Sequence, residues 1–445
     1  MLDEKYVTQF YQSVAAAATA QSDPDLKYFV DIDDSSVRGE ESADSQMSRV
    51  IQRSAGTSTT QVLCGPRGSG KSTELIKLGR DAMAHGRAYV RIDMESLLSP
   101  AQPLSPGLLL PSIAAAFLRE VVQQVPVESI GAQTWWSRLK KSFDRIHLAL
   151  PDRLGSGSVS VGPMSFELPS FIDIDPSQRE IVERAMRQNR ATVRAELHAL
   201  ISEAAIALRG RSPLTPLLVI DSLEHWRGWG GTYATVRDSV ISVFVNDRDD
   251  LELPNLHTVY CAPAYVQDRV PWPVFRLYCV KTQERDGTPC EEGLEALHRV
   301  LAQRAPGGDS LSLFASPDLE RKAILASGGF FRSLFEVLTR VLLMTDAAPV
   351  TEEQLLLATR EAGRRMTGDT ITAQRGKILR AVLRHQSPGE PPYEPGIDDM
   401  ADYEDLQSIG AILRYSNGED WMGVHPLLVP LIERESSESH ESASK

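Results

Sequence analysis

Apolar residues follow two different periods along this 445-residue chain, and the changes of period divide it. Near the start, Tyr6, Phe10, Tyr11 and Val14 recur at helical spacing. That predicts a helical lead-in within residues 1–30. A polar loop is expected over 31–38 and a helix over 41–53. Short, mostly apolar runs then appear at 61–64, 88–93, 217–220, 258–261 and 277–280. Helical stretches separate them, at 72–85, after the Pro/Leu/Ala-rich 99–115, at 135–150 and at 178–208. Runs this short with helical crossovers predict about five buried parallel strands. One segment breaks the pattern: Ser158-Val159-Ser160-Val161 and Ser165-Phe166-Glu167-Leu168 alternate around Gly162-Pro163. This reads as a small hairpin inserted at 155–174, outside the sheet.

After residue 285 the period becomes helical, over 291–305, 317–326, 331–345 and 351–366. Ser316 and Pro317 are suited to the N-cap and N1 positions of the second of these. Further on, helices are expected at 378–385 and 402–409. Segments 411–416 and 420–424 then flank Asn417-Gly418, a strong hairpin signal. Helix, helix, hairpin is a winged-helix pattern. Residues 436–445 are Ser/Glu-rich and expected to be disordered.

Composition narrows the class. The chain is 42% hydrophobic and 24% charged, as in globular proteins, with a net charge of −13 that gives no general attraction to polyanions. The longest mostly apolar run, 108–118, contains Pro111 and is too short to span a bilayer. The opening Met1-Leu2-Asp3-Glu4 is acidic where a signal peptide is basic, so a cytoplasmic protein without membrane contact is expected. Cys64, Cys261, Cys279 and Cys290 form no CxxC pair, and the nine histidines form no HExxH. Reduced thiols are expected, with neither disulfides nor structural zinc.

The chemistry centres on Gly65-Pro66-Arg67-Gly68-Ser69-Gly70-Lys71-Ser72-Thr73, which fits GxxxxGK[ST] between an apolar strand and a helix. Its glycines let the backbone curl around phosphates with N–H groups inward, and the helix start adds its positive dipole end. The expected ligand is ATP. Lys71 should reach the β- and γ-phosphates, Ser72 should ligate Mg²⁺, and Thr73 lies toward the α-phosphate. The metal's second carboxylate is expected at a neighbouring strand end. Asp221, closing 217–220, is favoured over Asp93, whose strand is interrupted by Arg91 and which otherwise reads as a helix N-cap. Hydrolysis needs a group to activate water. Ser222 follows Asp221 where many such ATPases carry Glu, and Glu224 is the nearest carboxylate. It is a base or a solvated surface residue.

These residues resemble the AAA+/STAND group of ATPases, which includes NACHT-, KAP- and origin-recognition-like proteins. The resemblance rests on Arg67 to Leu75 and on Asp221-Ser222-Leu223-Glu224, where an acidic residue stands three after the strand-end Asp. It implies that Val37-Arg38-Gly39-Glu40 packs by the adenine. Ser327-Gly328-Gly329-Phe330-Phe331-Arg332 resembles the lid motif, with Arg332 approaching the γ-phosphate and Phe331 where the family has proline. Otherwise Arg332 is an exposed helix charge. Cys261 or Pro263 occupies the region of the polar residue that usually ends the fourth strand. Arg269 and Arg285 are candidate arginine fingers. In architecture the resemblance spans about 35–435, with no counterpart for 100–215.

The expected organisation is therefore α/β: a P-loop NTPase parallel sheet with a helical lid and a C-terminal winged-helix domain. Its segments are a helical lead-in at 1–30, a core at 31–290 with an insertion at about 100–215, a lid at 291–368, a winged-helix-like domain at 369–435 and the tail. The resemblance implies a nucleotide-dependent switch acting on protein partners or on self-association. Prokaryotic relatives of this kind serve signalling or antiviral defence. The alternative is a DNA-engaging loader using the winged helix. Charge disfavours it: residues 370–433 hold five Lys/Arg against ten Asp/Glu, and 398–408 has no basic residue. A small-molecule kinase would also use a P-loop but would not need the lid and winged helix. Trp135-Trp136 and Trp226/Trp229 read as core packing or as partner anchors. Gly228, Gly230 and Gly231 suggest a mobile loop beside Trp226.

Overall fold

The structure is a computed structural model. It describes residues 4–16, 26–32, 35–39, 41–54, 56–125, 157–161, 164–168, 176–210, 212–228, 232–346, 348–367, 371–386, 393–416 and 420–433. In chain order the elements are α1 (Glu4–Ala16), α2 (Ser35–Arg38), α3 (Ala43–Arg53), β1 (Thr59–Cys64), α4 (Lys71–Ala84), β2 (Tyr89–Asp93) and α5 (Pro106–Gln124). There follow β3 (Gly157–Val161), β4 (Met164–Leu168), α6 (Pro176–Arg209), β5 (Leu217–Asp221), α7 (Tyr233–Val245), β6 (His257–Ala262) and β7 (Val274–Arg276). The last are α8 (Glu291–Arg304), α9 (Pro317–Ala326), α10 (Phe331–Leu343), α11 (Glu352–Thr367), α12 (Ala373–His385), α13 (Met400–Ser408), β8 (Ile412–Ser416) and β9 (Asp420–Val424). Among the described residues, no helix is long and apolar enough to cross a membrane.

The chain forms two compact units interleaved in sequence. The sheet unit comprises Ala43–Cys64 and Glu74–Arg276. The helical unit comprises Met1–Ser42, Gly65–Thr73 and Leu277–Lys445.

In the sheet unit, five strands run parallel in the order β2-β5-β6-β1-β7. Side chains alternate between the faces. On one face Val62, Val90, Ile92, Leu218, Ile220 and Tyr260 pack with α5 and α6 in a single core. Ser105 caps α5, its Oγ accepting from Gly107 N at 3.2 Å, and Pro106 starts the helix where a missing N–H does no harm. On the other face α4 lies close: Gly79 faces the ring of Tyr89, whose hydroxyl reaches Leu75 O at 3.5 Å. The hairpin of β3 and β4 is antiparallel and forms its own two-stranded sheet, separate from the five-stranded one, as its alternation predicts. Its bend at 162–163 lies outside the described residues, as do Trp135, Trp136, Trp229, Gly230, Gly231, Asn417, Gly418 and the tail. Trp226 is core, 1% exposed among apolar neighbours.

Two expectations fail. The fifth strand is β7, paired with β1 through Val62↔Val274, and 277–280 forms no strand. That run is apolar because it is buried in the helical unit. There Cys279 N donates to Arg414 O of β8 and Val280 N to Gly329 O of a loop, isolated bonds that make no ladder. The polar stretch 31–38 is not all loop, because Val37 and Arg38 are buried and close the single turn of α2.

The helical unit holds an apolar core built from α1 and α8 to α11, including Phe10, Leu297, Leu334 and Leu338. Ser316 stands at the N-cap of α9 as expected, though its hydroxyl makes no capping bond. The C-terminal stretch runs helix, helix, antiparallel pair, with its own core of Leu379, Leu406, Ile412, Val424 and Leu428. Arg375 ties α12 to α13 with bonds of 2.7 Å to Asp402 and to Asp405.

Candidate functional site

The phosphate-type loop lies in the helical unit between β1 and the first turn of α4. Gly68 has φ +94° and Gly70 φ +99°, conformations that side-chain-bearing residues rarely adopt. Gly68 is also crowded. A Cβ added there would stand 2.7 Å from the Cβ of Arg332. Lys71 is buried, and its Nζ donates to Gly65 O at 3.0 Å and Pro66 O at 2.8 Å, so the cation folds onto the loop's own carbonyls. Ser69 Oγ is buried without a hydrogen-bond partner among the described residues. Ser72 and Thr73 are half-buried in the first helical turn, whose N–H groups have no intrahelical acceptor.

Three further segments of this unit meet the loop. Arg38 is buried and donates from Nη2 to Ser69 O and from Nε to Tyr278 O at 2.9 Å. Its guanidinium carbon lies 5.4 Å from the ring centroid of Phe331. Val37 packs in the apolar core, its carbonyl accepting from Lys281 N at 2.9 Å. Arg332 opens α10 beside Gly68 and makes no hydrogen bond or ion pair among the described residues. Desolvation and the like charge of Arg67 lower its pKa, although the side chain keeps access to solvent. From the C-terminal stretch, Ser408 O accepts from Arg67 N at 3.4 Å. Arg38, Arg67, Lys71 and Arg332 thus gather four cations at one loop. An orphaned hydroxyl and a backbone too tight for side chains complete a cradle that fits a polyphosphate.

The sheet unit carries a second polar cluster, at the carboxyl ends of its strands. Alternation places Arg91, Asp221 and Cys261 on one face. Asp221 is fully buried, and its Oδ2 accepts from Arg91 Nη2 at 2.6 Å and Nε at 3.1 Å. Burial pulls the Arg91 pKa down, but the Asp221 charge and its hydrogen bonds reverse this and raise it. Asp221 Oδ1 accepts from Ser222 N at 2.8 Å. Ser222 then turns through a left-handed conformation, φ +70°, uncommon for a residue with a side chain. That bend starts the short turn Leu223–His225 and brings Glu224 inward. Glu224 is 7% exposed, so it is no solvated surface residue, and Cys261 Sγ donates to its Oε2 at 3.1 Å. Ligand-type atoms of Asp221, Glu224 and Cys261 lie within 4.8 Å of one another.

The remaining candidates take structural positions. Asp93 caps the turn Met94–Ser96, accepting from Glu95 N at 3.1 Å. Pro263 O takes the Cys64 thiol at 3.6 Å. Arg269 donates to Tyr265 O, and Arg285 to His385 O at 3.3 Å. Sequence reasoning missed Arg91 as a partner of Asp221. The signal was present: residues 89, 91 and 93 share a face, and parallel pairing sets that face beside 217, 219 and 221. His225 and Ser408 carried no such signal.

No family model and no curated protein matches the chain. Among solved structures it is similar to a Walker-type ATPase of Pyrococcus abyssi, 14% identical over 87% of this chain and 95% of that one, with a TM-score of 0.40. It is similar to the ORC2 protein of Aeropyrum pernix in its ADPNP-ADP complexes, 9% identical over 88% and 94%, with a TM-score of 0.38. Cdc6p of Pyrobaculum aerophilum is 14% identical over 88% and 93%, with a TM-score of 0.35. The glycine-rich loop leaving an interior strand of a five-stranded parallel sheet and opening a helix is the fold of a P-loop ATPase.

Proposed function

We propose that the chain binds ATP at Gly65–Thr73 and acts as a nucleotide-dependent switch of the AAA+/STAND kind, passing its state to protein partners or to further copies of itself. One observation carries the reading. The loop is touched both by Arg332 at the start of a lid-like helix and by Ser408 of the winged-helix-like stretch. Any ligand that moves the loop's amides therefore disturbs both elements, because Arg67 N is bonded to Ser408 O. Lys71 is expected to exchange its carbonyl partners for β- and γ-phosphate oxygens. Arg332, with no partner to give up among the described residues, can meet the γ-phosphate. Arg38 donates to the loop's Ser69 carbonyl and lies over the Phe331 ring, and with Val37 it stays a candidate for the adenine side of the site.

Ser72 in the loop and, in the sheet unit, Asp221 are each carried forward as a candidate ligand for Mg²⁺. Asp221 fits the metal in charge and ligand type, sharing its carboxylate with Arg91, and the bound ion would neutralise phosphate charge. Glu224, buried and oriented by Cys261, supports hydrolysis with Glu224 as base. Signalling or defence is the setting that the family resemblance suggests. The acidic winged-helix-like stretch supports protein rather than DNA as the partner.

The test compares wild type with Lys71→Ala by limited proteolysis and sedimentation, each with and without Mg-ATP. Wild type should change its cleavage pattern within 317–433 or its sedimentation on ATP addition, and Lys71→Ala should not. Identical behaviour of wild type with and without ATP would remove the switch. A DNA mobility shift near physiological salt would replace it with the loader reading.

A further inference from the structure

Three side chains of the sheet unit form a line from the interior to solvent. Glu224 is buried, the His225 side chain is 19% exposed and that of Glu95 is 42% exposed. Glu224 Oε1 lies 3.7 Å from His225 Nε2, and the other ring nitrogen, Nδ1, lies 2.5 Å from Glu95 Oε2. Cys261 holds the far oxygen, Oε2, which leaves Oε1 as the one turned toward the imidazole. The strands set this up. Asp93 and Asp221 are in register on neighbouring strands, so the turns that follow them rise side by side. Asp93 fixes the first turn by capping it, and the left-handed Ser222 fixes the second.

We infer that Glu224, His225 and Glu95 are a proton relay, with His225 and Glu95 acting as positioning and transfer residues behind the base. The inference rests on the reading of Glu224 as the base of ATP hydrolysis. In that step the water oxygen bonds to the γ-phosphorus, the bond from phosphorus to the ADP oxygen breaks, and the water's proton passes to Glu224. The carboxylic acid then gives that proton to His225 Nε2. His225 Nδ1–H gives its own proton to Glu95, which releases it to solvent. The imidazole resets through its exposed edge. A gap of 3.7 Å is too long for a hydrogen bond and closes with a rotation of the carboxylate or one bridging water. Among the described residues, the charged or titratable groups around the line include Arg91 and Asp93 from β2, Asp221 from β5 and Cys261 from β6. Arg91 is engaged with Asp221.

The experiment uses the full chain and the variants His225→Gln, His225→Gly and Glu95→Gln. ATP affinity is measured by titration, kcat across pH 6 to 9 as a rough working range, and the His225 ring tautomer by nitrogen NMR without nucleotide. His225→Gln should bind ATP as wild type does while kcat falls about tenfold to a hundredfold, at the lower end of general acid–base effects. The pH dependence of the wild-type rate should change with it. Free imidazole should restore part of the His225→Gly rate. Wild-type His225 should carry its proton on Nδ1 and shift toward the Nε2 tautomer in Glu95→Gln. Unchanged kcat and pH profile in His225→Gln, no imidazole rescue, or an unchanged tautomer in Glu95→Gln would each overturn the relay. Wild type that binds ATP without hydrolysing it would overturn the relay and leave the switch standing. Failure to bind ATP would remove the larger reading.

Discussion

Replacing Arg91 by methionine should loosen the carboxyl end of the sheet far more than its strand position suggests. Methionine keeps most of the aliphatic stem and removes the charge. Asp221 then becomes a fully buried carboxylate with only the Ser222 N–H left from its present partners. Breaking a buried pair from one side costs about 3–5 kcal/mol. Arg91 is 22% exposed on its side chain, so water enters more readily and the lower end, about 3 kcal/mol, is expected. A chain of two units will not melt in one step, so the measurement is hydrogen–deuterium exchange of peptides covering β5 and the turn after it. A loss of about 3 kcal/mol appears as amide exchange about a hundredfold faster. Two controls sharpen it. Asp221→Asn in the same chain should recover most of the protection, because no charge is left to orphan. The Arg91→Met deficit should also shrink with falling pH. Burial penalises the charged form of the orphaned carboxylate, so lowering the pH relieves the cost. A deficit below about 1 kcal/mol, or one that ignores pH and Asp221→Asn, would refute the account of a buried charge held by a single cation.

Gly68→Ala should weaken ATP binding by about tenfold or more, from an unfavourable backbone conformation costing of order 1–3 kcal/mol and a clash with a Cβ that no rotation can move. The control is Gly307→Ala in the same unit, at φ +70° with open space around it, where calorimetric titration should show unchanged affinity. Glu224→Gln should bind ATP normally and lose turnover, and a normal rate of phosphate release would take Glu224 out of the mechanism. His425 is buried, its pKa pushed down to about 3 by desolvation, with Nε2 on Ser333 Oγ at 2.8 Å. Stability from keeping it neutral is complete above the unfolded histidine value near about 6.5 and is lost at about 1.4 kcal/mol per pH unit as pH falls toward that depressed value. His425→Gln should flatten the acid side of the unfolding profile of α10 and its neighbours, and an unchanged slope would show that another group governs it.

Much of this could be read in the chain because burial writes a local signal. Val219 and Ile220 sit in a run with no polar break, Asp221 marks its end, and the glycines of 65–70 have conformational reasons to be there. What could not be read was pairing. Residues 277–280 are as apolar as a strand, yet their backbone partners are Arg414 and Gly329, and sequence does not reveal which backbone will answer. Arg91 looked like a flaw in a strand because its compensating charge lies on another strand. His225 beside Glu95 depends on two turns coming together, one bent by a left-handed serine that no propensity would place there.

The nine-residue loop joins the unit built otherwise from the beginning and the later part of the chain, and this bears on synthesis. Loop residues 65–73 leave the ribosome early, but Arg332 and Ser408, which lie against the loop, emerge only after the whole sheet has been made. The contacts are long in sequence, and such pairings form slowly. A nascent chain therefore carries an unfinished loop, ordered on one side by Arg38 alone. Competence for nucleotide should arrive late, as a mark that translation has passed the C-terminal stretch. Fragments ending near residue 276 should keep the parallel sheet and lack the finished cradle.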